Sequence, residues 1–185
     1  MGMIPAESAA RRSAVRWVMV AVALVVVVAD QVSKSLILAT HAVAAGNGWI
    51  VFRLVRNTGA SGGIASGHPV LVTLTGALIT ALAVTLAVRV RDRGVAICLA
   101  AVCGGALGNL SDRIFRAPGF GRGAVVDWIH VAGRGGSFNV ADTAIQFGVI
   151  AAIIAMFVAE RGRRAALRAA EAAEQAGESW PGIES

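Results

Sequence analysis

The sequence predicts an all-α membrane protein, four transmembrane helices carrying a small β-rich extracytoplasmic subdomain. Three observations lead there. Of the 185 residues, 56% are hydrophobic and only 15% are charged, and the mean hydropathy of +0.70 is that of a membrane protein rather than a soluble domain. The apolar residues gather into four runs long enough to form helices that cross hydrocarbon. Two longer segments, 39–68 and 111–141, join alternate runs and contain short stretches of strand-like composition.

The first run is unbroken from Trp17 to Ala29 and continues in helical style through Asp30, Gln31 and Lys34 to Leu38. Arg11, Arg12 and Arg16 precede it, as they would a signal peptide. No small-residue cleavage site follows, however, and Asp30-Gln31 intervenes, so the run reads as a retained span. Next comes Trp49–Arg56, a β-rich stretch. The second run, Pro69 to Val88, holds twenty residues without a charge. The third, Val95 to Leu110, is rich in small residues (Gly104, Gly105, Ala106, Gly108), which let helices approach closely. A second β-rich stretch, Ala124–Val131, leads to the fourth run, Thr143 to Ala159, apolar except for Gln146. The spans therefore fall at about 17–38, 69–88, 95–111 and 142–159. They form one domain, 17–159, between an N-terminal segment, 1–16, and a tail, 160–185, that turns from basic to acidic.

Arginine placement gives an orientation. Ten arginines (11, 12, 16, 89, 91, 93, 161, 163, 164 and 168) cluster beside span ends on one side of a four-span arrangement, against seven basic residues on the other. The positive-inside rule then places both termini and the loop 89–94 in the cytoplasm. The net charge of +6 does not indicate nucleic acid, because the basic residues flank apolar segments and do not alternate with stacking aromatics. Cys98 and Cys103 lie five apart in the third span, point in different directions and read as small buried residues, not a disulfide or metal pair.

Four of the five aspartates collect at one depth. Asp30 lies thirteen residues beyond Trp17, roughly 20 Å across the membrane. Asp112 and Asp142 flank the outer ends of the third and fourth spans, and Asp127 lies in the segment between. Asp92 sits among arginines in the cytoplasmic loop and reads as a solvated charge. Ionisable groups near hydrocarbon mark functional sites or buried pairs. Asp30 and Lys34, at i and i+4, fit an intrahelical ion pair. Asp112-Arg113 fits either a charge pair ending the third helix or a site residue. Asp142 fits either the N-cap of the fourth helix or an active carboxylate. Asp127 interrupts the apolar run Val125, Val126, Trp128, Ile129 and is the hardest to assign to structure. No metal-ligand spacing joins His41, His68 and His130, no serine sits in a nucleophile elbow, and neither cysteine has a histidine nearby. A carboxylate pair sharing one proton and one water is the best hydrolytic candidate, with no cofactor and no metal expected.

These residues bring a family into view. Asp30-Gln31-x-x-Lys34, Asn57-Thr58-Gly59-Ala60, GGALGNLSDR from Gly104 to Arg113, VVDWI around Asp127, and FNVAD from Phe138 to Asp142 occur in this order. In them the chain resembles the bacterial lipoprotein signal peptidase (signal peptidase II) family, from about residue 15 to 160. The resemblance implies a four-helix aspartic endopeptidase of the inner membrane with a β-rich cradle and lid over the site. It implies that Asp127 and Asp142 form the catalytic dyad, and that Asn57, Gly59, Asn109, Asp112, Arg113 and Asn139 line the site or hold substrate and dyad. It gives Asp30 and Lys34 a supporting role. The implied substrates are prolipoproteins carrying diacylglyceryl on a cysteine, cut before that residue, with membrane lipids as the other partners and a monomeric enzyme. Two positions depart from the pattern. Ser61, Gly62 and Gly63 stand where a small residue and then phenylalanine are usual, and Trp128 follows the first aspartate where phenylalanine is commoner.

Other functions fit less well. A transporter would carry polar residues on through the membrane, yet the second span has no charge. A phosphotransferase holding Mg²⁺ would cluster its acids on helices around metal. A non-catalytic assembly factor leaves the convergence of aspartates to chance.

Overall fold

The computed structural model describes residues 5–40, 45–46, 48–59, 67–133 and 135–178. In chain order the elements are α1 (Pro5–Thr40), β1 (Ala45–Gly46), β2 (Ile50–Asn57), α2 (Pro69–Arg89), α3 (Arg93–Phe115), β3 (Val125–Val131), β4 (Ser137–Phe138) and α4 (Val140–Glu178). All four helices contain stretches long and apolar enough to cross a membrane. Each expected span lies inside one of them. The ends differ: α1 already begins at Pro5, and α4 runs well past residue 159, because the alanine-rich, charge-paired sequence there continues the helix. On this stretch Glu160 pairs with Arg163 and Arg164 at 3.1 and 2.7 Å.

Local chemistry sets the helix starts. Pro69 opens α2, where its fixed φ suits the first turn and its missing N–H costs nothing. Asp92 is exposed, as its place among arginines suggested, and it also caps α3: its Oδ1 accepts the Val95 N–H at 2.9 Å. The polypeptide between α2 and α3 is correspondingly short.

Helix α3 is the hub, packing against α4, α1 and α2, whereas the main helical neighbour of α2 is α3. Its most apolar stretch is 44% buried within the protein, against 6% for that of α1. Glycine makes this central position feasible. A Cβ at Gly104 would lie 2.7 Å from the Ala23 carbonyl oxygen, and one at Gly105 would overlap that of Ala141. One at Gly108 would sit 2.7 Å from Asp30 Oδ2. The three glycines thus seat α1 and α4 against α3 at backbone contact. Cys98 and Cys103 are free thiols within the bundle.

The two β-rich stretches pair as expected. An antiparallel sheet of order β1-β2-β3-β4 covers one end of the bundle, its outer members only two residues long. Within it β2 and β3 match Val55 to Asp127 and Asn57 to Val125, with an irregularity between Phe52 and Val55. Asn57 and Asp127 therefore share a face as diagonal neighbours. Ala60, Ser61, Gly62 and Gly63, and with them the departure from the family pattern, lie outside the described residues.

Candidate active site

The four clustered aspartates separate into two groups joined by asparagines. One group is a buried ion cluster. Lys34 Nζ donates to Asp30 Oδ2 at 2.7 Å and to Asp112 Oδ2 at 2.8 Å, all three side chains being fully buried. Its third bond goes to Asn109 Oδ1 at 3.0 Å. The i, i+4 pair read from sequence is thus half of a larger unit. Asp112 corrects the other expectation: it lies inside α3 rather than beyond it, and its partners are Lys34 and Arg116, the latter at 2.6 Å, not its neighbour Arg113. Gln31 bridges the cluster, donating to Asp30, Asp112 and the Gly108 carbonyl and accepting from Arg116. Two carboxylates meet two cations, so the buried unit is formally neutral and hydrogen-bonded throughout.

This cluster reaches the second group through the backbone. Asp30 Oδ1 accepts the Ala141 N–H at 3.0 Å, and Asp112 Oδ2 accepts the Val126 N–H at 3.2 Å. Ala141 and Val126 each immediately precede one of the other two aspartates. The two carboxylates of the ion cluster therefore fix the positions of Asp142 and Asp127 without touching either.

Asn139 holds those two together. It stands just before α4, its Oδ1 accepting the Asp142 N–H at 2.9 Å while Asp142 Oδ2 accepts the Asn139 N–H at 3.2 Å. This reciprocal pattern is a capping box. The reading of Asp142 as the N-cap is corrected: Asn139 is the cap, and Asp142 is the third helical residue, which leaves its Oδ1 free to accept from Asn109 Nδ2 at 2.8 Å. Asn139 Nδ2 in turn donates to Asp127 Oδ1 at 2.7 Å and to Asn109 Oδ1 at 3.1 Å. Asn57 Nδ2 donates to Asp127 Oδ2 at 3.1 Å, and Asn57 Oδ1 accepts from Gly59 N at 3.0 Å. Arg113 Nη2 donates to the Gly59 carbonyl at 2.7 Å, while its buried Nη1 has no partner among the described residues.

Asn57, Asn109, Arg113, Asp127 and Asp142 line the polar end of a cavity of about 600 Å³. The rest of its wall is mostly apolar, with Leu71, Val72, Gly76 and Ile79 of α2, Ala106 and Leu110 of α3, and Ile145 of α4, interrupted by Thr75, Thr80 and Gln146. The cavity is amphipathic, with two carboxylates at one end and hydrocarbon-like walls at the other. All ten residues singled out from sequence belong to this assembly. Gln31, Arg116 and the α2 wall had not been singled out. Arg116 stands four residues after Asp112, the spacing of a helical ion pair, and that signal was available; the α2 wall left none.

Burial, and then the charge of Asp142, push the Asp127 carboxyl from its ordinary 3.8 up to about 6, against the opposing hydrogen bonds from Asn57 and Asn139. The Asp127 carboxyl therefore keeps its proton into the mildly acidic range. A reaction that needs one proton on the pair loses it as pH rises through that value. We expect kcat/KM to fall about tenfold per pH unit above about 6. We expect the descending limb of kcat at higher pH, because filling the apolar part of the cavity excludes water from the carboxyls. Coincident limbs in a pH-rate series would contradict this.

A family model described as Signal peptidase (SPase) II matches residues 22–158. The chain belongs to the signal peptidase II family. Among relatives of signal peptidase II type, the lipoprotein signal peptidase of Streptomyces coelicolor is 39% identical over 147 residues, 76% of this chain and 70% of that protein. That of Leifsonia xyli is 35% identical over 136 residues, 71% of this chain and 63% of that protein. That of Streptomyces griseus is 42% identical over 109 residues, 59% of this chain and 55% of that protein. The chain thus spans less than two thirds of the length of the latter two. Two solved structures described as bacterial membrane enzymes, at 2.3 and 1.9 Å resolution, are similar with TM-scores of 0.65 and 0.62 at 28% identity. Each covers 75% of this chain, and the matches take in 87% and 91% of those chains. The segment matched by the signal peptidase II model contains all ten residues of the site.

Proposed function

We propose that the protein is a membrane aspartic endopeptidase that removes signal peptides from diacylglyceryl-modified prolipoproteins, cutting before the lipidated cysteine. The observation that carries this reading is the meeting of Asp127 and Asp142, held by Asn139, at the polar end of an otherwise apolar cavity. A water between the two carboxylates loses a proton to the ionised Asp142 as its oxygen bonds to the scissile carbonyl carbon. Protonated Asp127 hydrogen-bonds the carbonyl oxygen as negative charge develops there. Collapse of the tetrahedral species breaks the C–N bond, and the proton gained by Asp142 passes to the leaving amine. Arg113, whose Nη1 has no partner among the described residues, and the Asn57 amide hold the peptide backbone in this reading.

The same reading sets the enzyme in the bacterial inner membrane as a monomer. The arginine clusters face the cytoplasm with both termini, and the sheet and carboxylates lie near the outer face. Residues 17–159 are the peptidase unit, and 1–16 and 160–185 flank it on the cytoplasmic side. A lipid-anchored substrate presents its scissile bond at that boundary, where water also reaches. The test is to incubate purified protein with a lipid-modified prolipoprotein and follow the mass of the product, with and without EDTA. We expect release of the intact signal peptide in both. Cleavage abolished by the chelator, or absent altogether, would overturn the aspartic mechanism or the activity respectively.

A further inference from the structure

The apolar end of the cavity is shaped by one residue of α2. Gly76 lies on its wall, and a Cβ built there would meet no atom within 4 Å. Gly104, Gly105 and Gly108 serve close helix contact, but Gly76 serves none, and in a helix interior glycine is unfavourable by about 1 kcal/mol relative to alanine. What it contributes is width. The threonines keep the α2 side of the wall apolar, because Thr75 Oγ1 donates to the Leu71 carbonyl at 2.9 Å and Thr80 Oγ1 to that of Gly76 at 2.7 Å, while Gln146 of α4 is a polar residue in the lining. Their hydroxyls are thus tied to their own helix. From Leu71 to Thr80 the wall descends about 14 Å into the bundle.

We infer that Gly76 is a specificity-determining residue: it keeps open a slot between α2 and the α3–α4 pair that takes one long acyl chain of the lipid-modified substrate. The inference rests on the peptidase reading above. An acyl chain gains no hydrophobic free energy by moving from bilayer to slot. The chain is instead brought there by its tether, being joined through glycerol and cysteine to the scissile residue at the polar end. A chain that fits the slot lets the peptide settle between Asp127 and Asp142. One that meets an obstruction holds the peptide away. Because α2 packs chiefly on α3, the space between α2 and α4 offers lateral entry from the membrane.

The experiment compares two prolipoproteins identical in peptide, one carrying palmitoyl and the other hexanoyl chains, with wild type, Gly76→Ala and Gly76→Leu in the same lipid nanodiscs. For Gly76→Leu we expect the ratio of kcat/KM, long over short chain, to fall about tenfold, the size of effect that one misfitted group has in an apolar pocket. The loss falls on KM, and Gly76→Ala shows a smaller shift in the same direction. Far-UV circular dichroism and thermal midpoints check folding, and Gly76→Ala, with space for its methyl group, covers the case in which the leucine variant fails to fold. A ratio unchanged in both variants, or both substrates slowed equally, overturns the slot. Wild-type protein that cleaves neither substrate overturns the peptidase reading and this inference with it.

Discussion

Asp127→Asn and Asp142→Asn each lower turnover by roughly 10³-fold or more while leaving the protein inserted and folded. The near-isosteric change separates chemistry from structure. Asp127 accepts one hydrogen bond on each oxygen, from Asn139 and Asn57, and Asp142 does the same from Asn109 and the Asn139 N–H. An asparagine in either place keeps one acceptor and turns an amide N–H₂ towards a donor, costing about 1–3 kcal/mol of stability. On the proposed mechanism that loss is small beside the removal of the base or of the proton held for the carbonyl oxygen. The measurement is a single-turnover cleavage assay with the thermal midpoint of each variant in detergent. Near-wild-type cleavage by either variant would show that the pair is not the dyad. A large drop in midpoint with activity retained in the folded fraction would recast that aspartate as a structural group.

Lys34→Met has the largest effect expected on stability, about 3–5 kcal/mol. The ammonium is fully buried and meets three acceptors, two of them carboxylates. Removing it leaves Asp30 and Asp112 facing one another with only Arg116 and Gln31 to compensate. The loss reaches Asp142 and Asp127, because the same two carboxylates hold the Ala141 and Val126 N–H groups. Activity falls with stability, and adding Asp30→Asn to Lys34→Met restores part of the midpoint by removing one of the unpaired charges. A double variant no more stable than Lys34→Met alone would show that the cluster is not held by charge balance.

How much of this was legible in the sequence varies with the physics of each feature. Hydropathy alone located the four helices, because the bilayer demands apolar residues on every side of a span. It could not say which face of α2 meets the cavity, since a helix apolar all round carries no record of its orientation. The strands were visible in composition, but their register was not, and it is the register that brings Asn57 beside Asp127. The i, i+4 spacing showed Asp30 with Lys34, whereas Asp112 joins them only because glycines let α1 and α3 touch. Asn139-x-x-Asp142 had the spacing of a capping box, yet an aspartate at a helix start drew the cap assignment to itself. The chemistry of the pair came from motif resemblance, and the geometry supplies the reason for the asparagines around it.

The bonds from Asp30 to Ala141 and from Asp112 to Val126 also bear on biogenesis. Asp30 belongs to the first helix and Ala141 to the last, so the carboxylate pair has no fixed geometry until the fourth helix has inserted and docked. A half-made chain therefore holds Asp127 through Asn57 and Asp112 but lacks the helix that brings Asp142 to it. On the proposed activity, cleavage therefore waits on the completion of the fold itself.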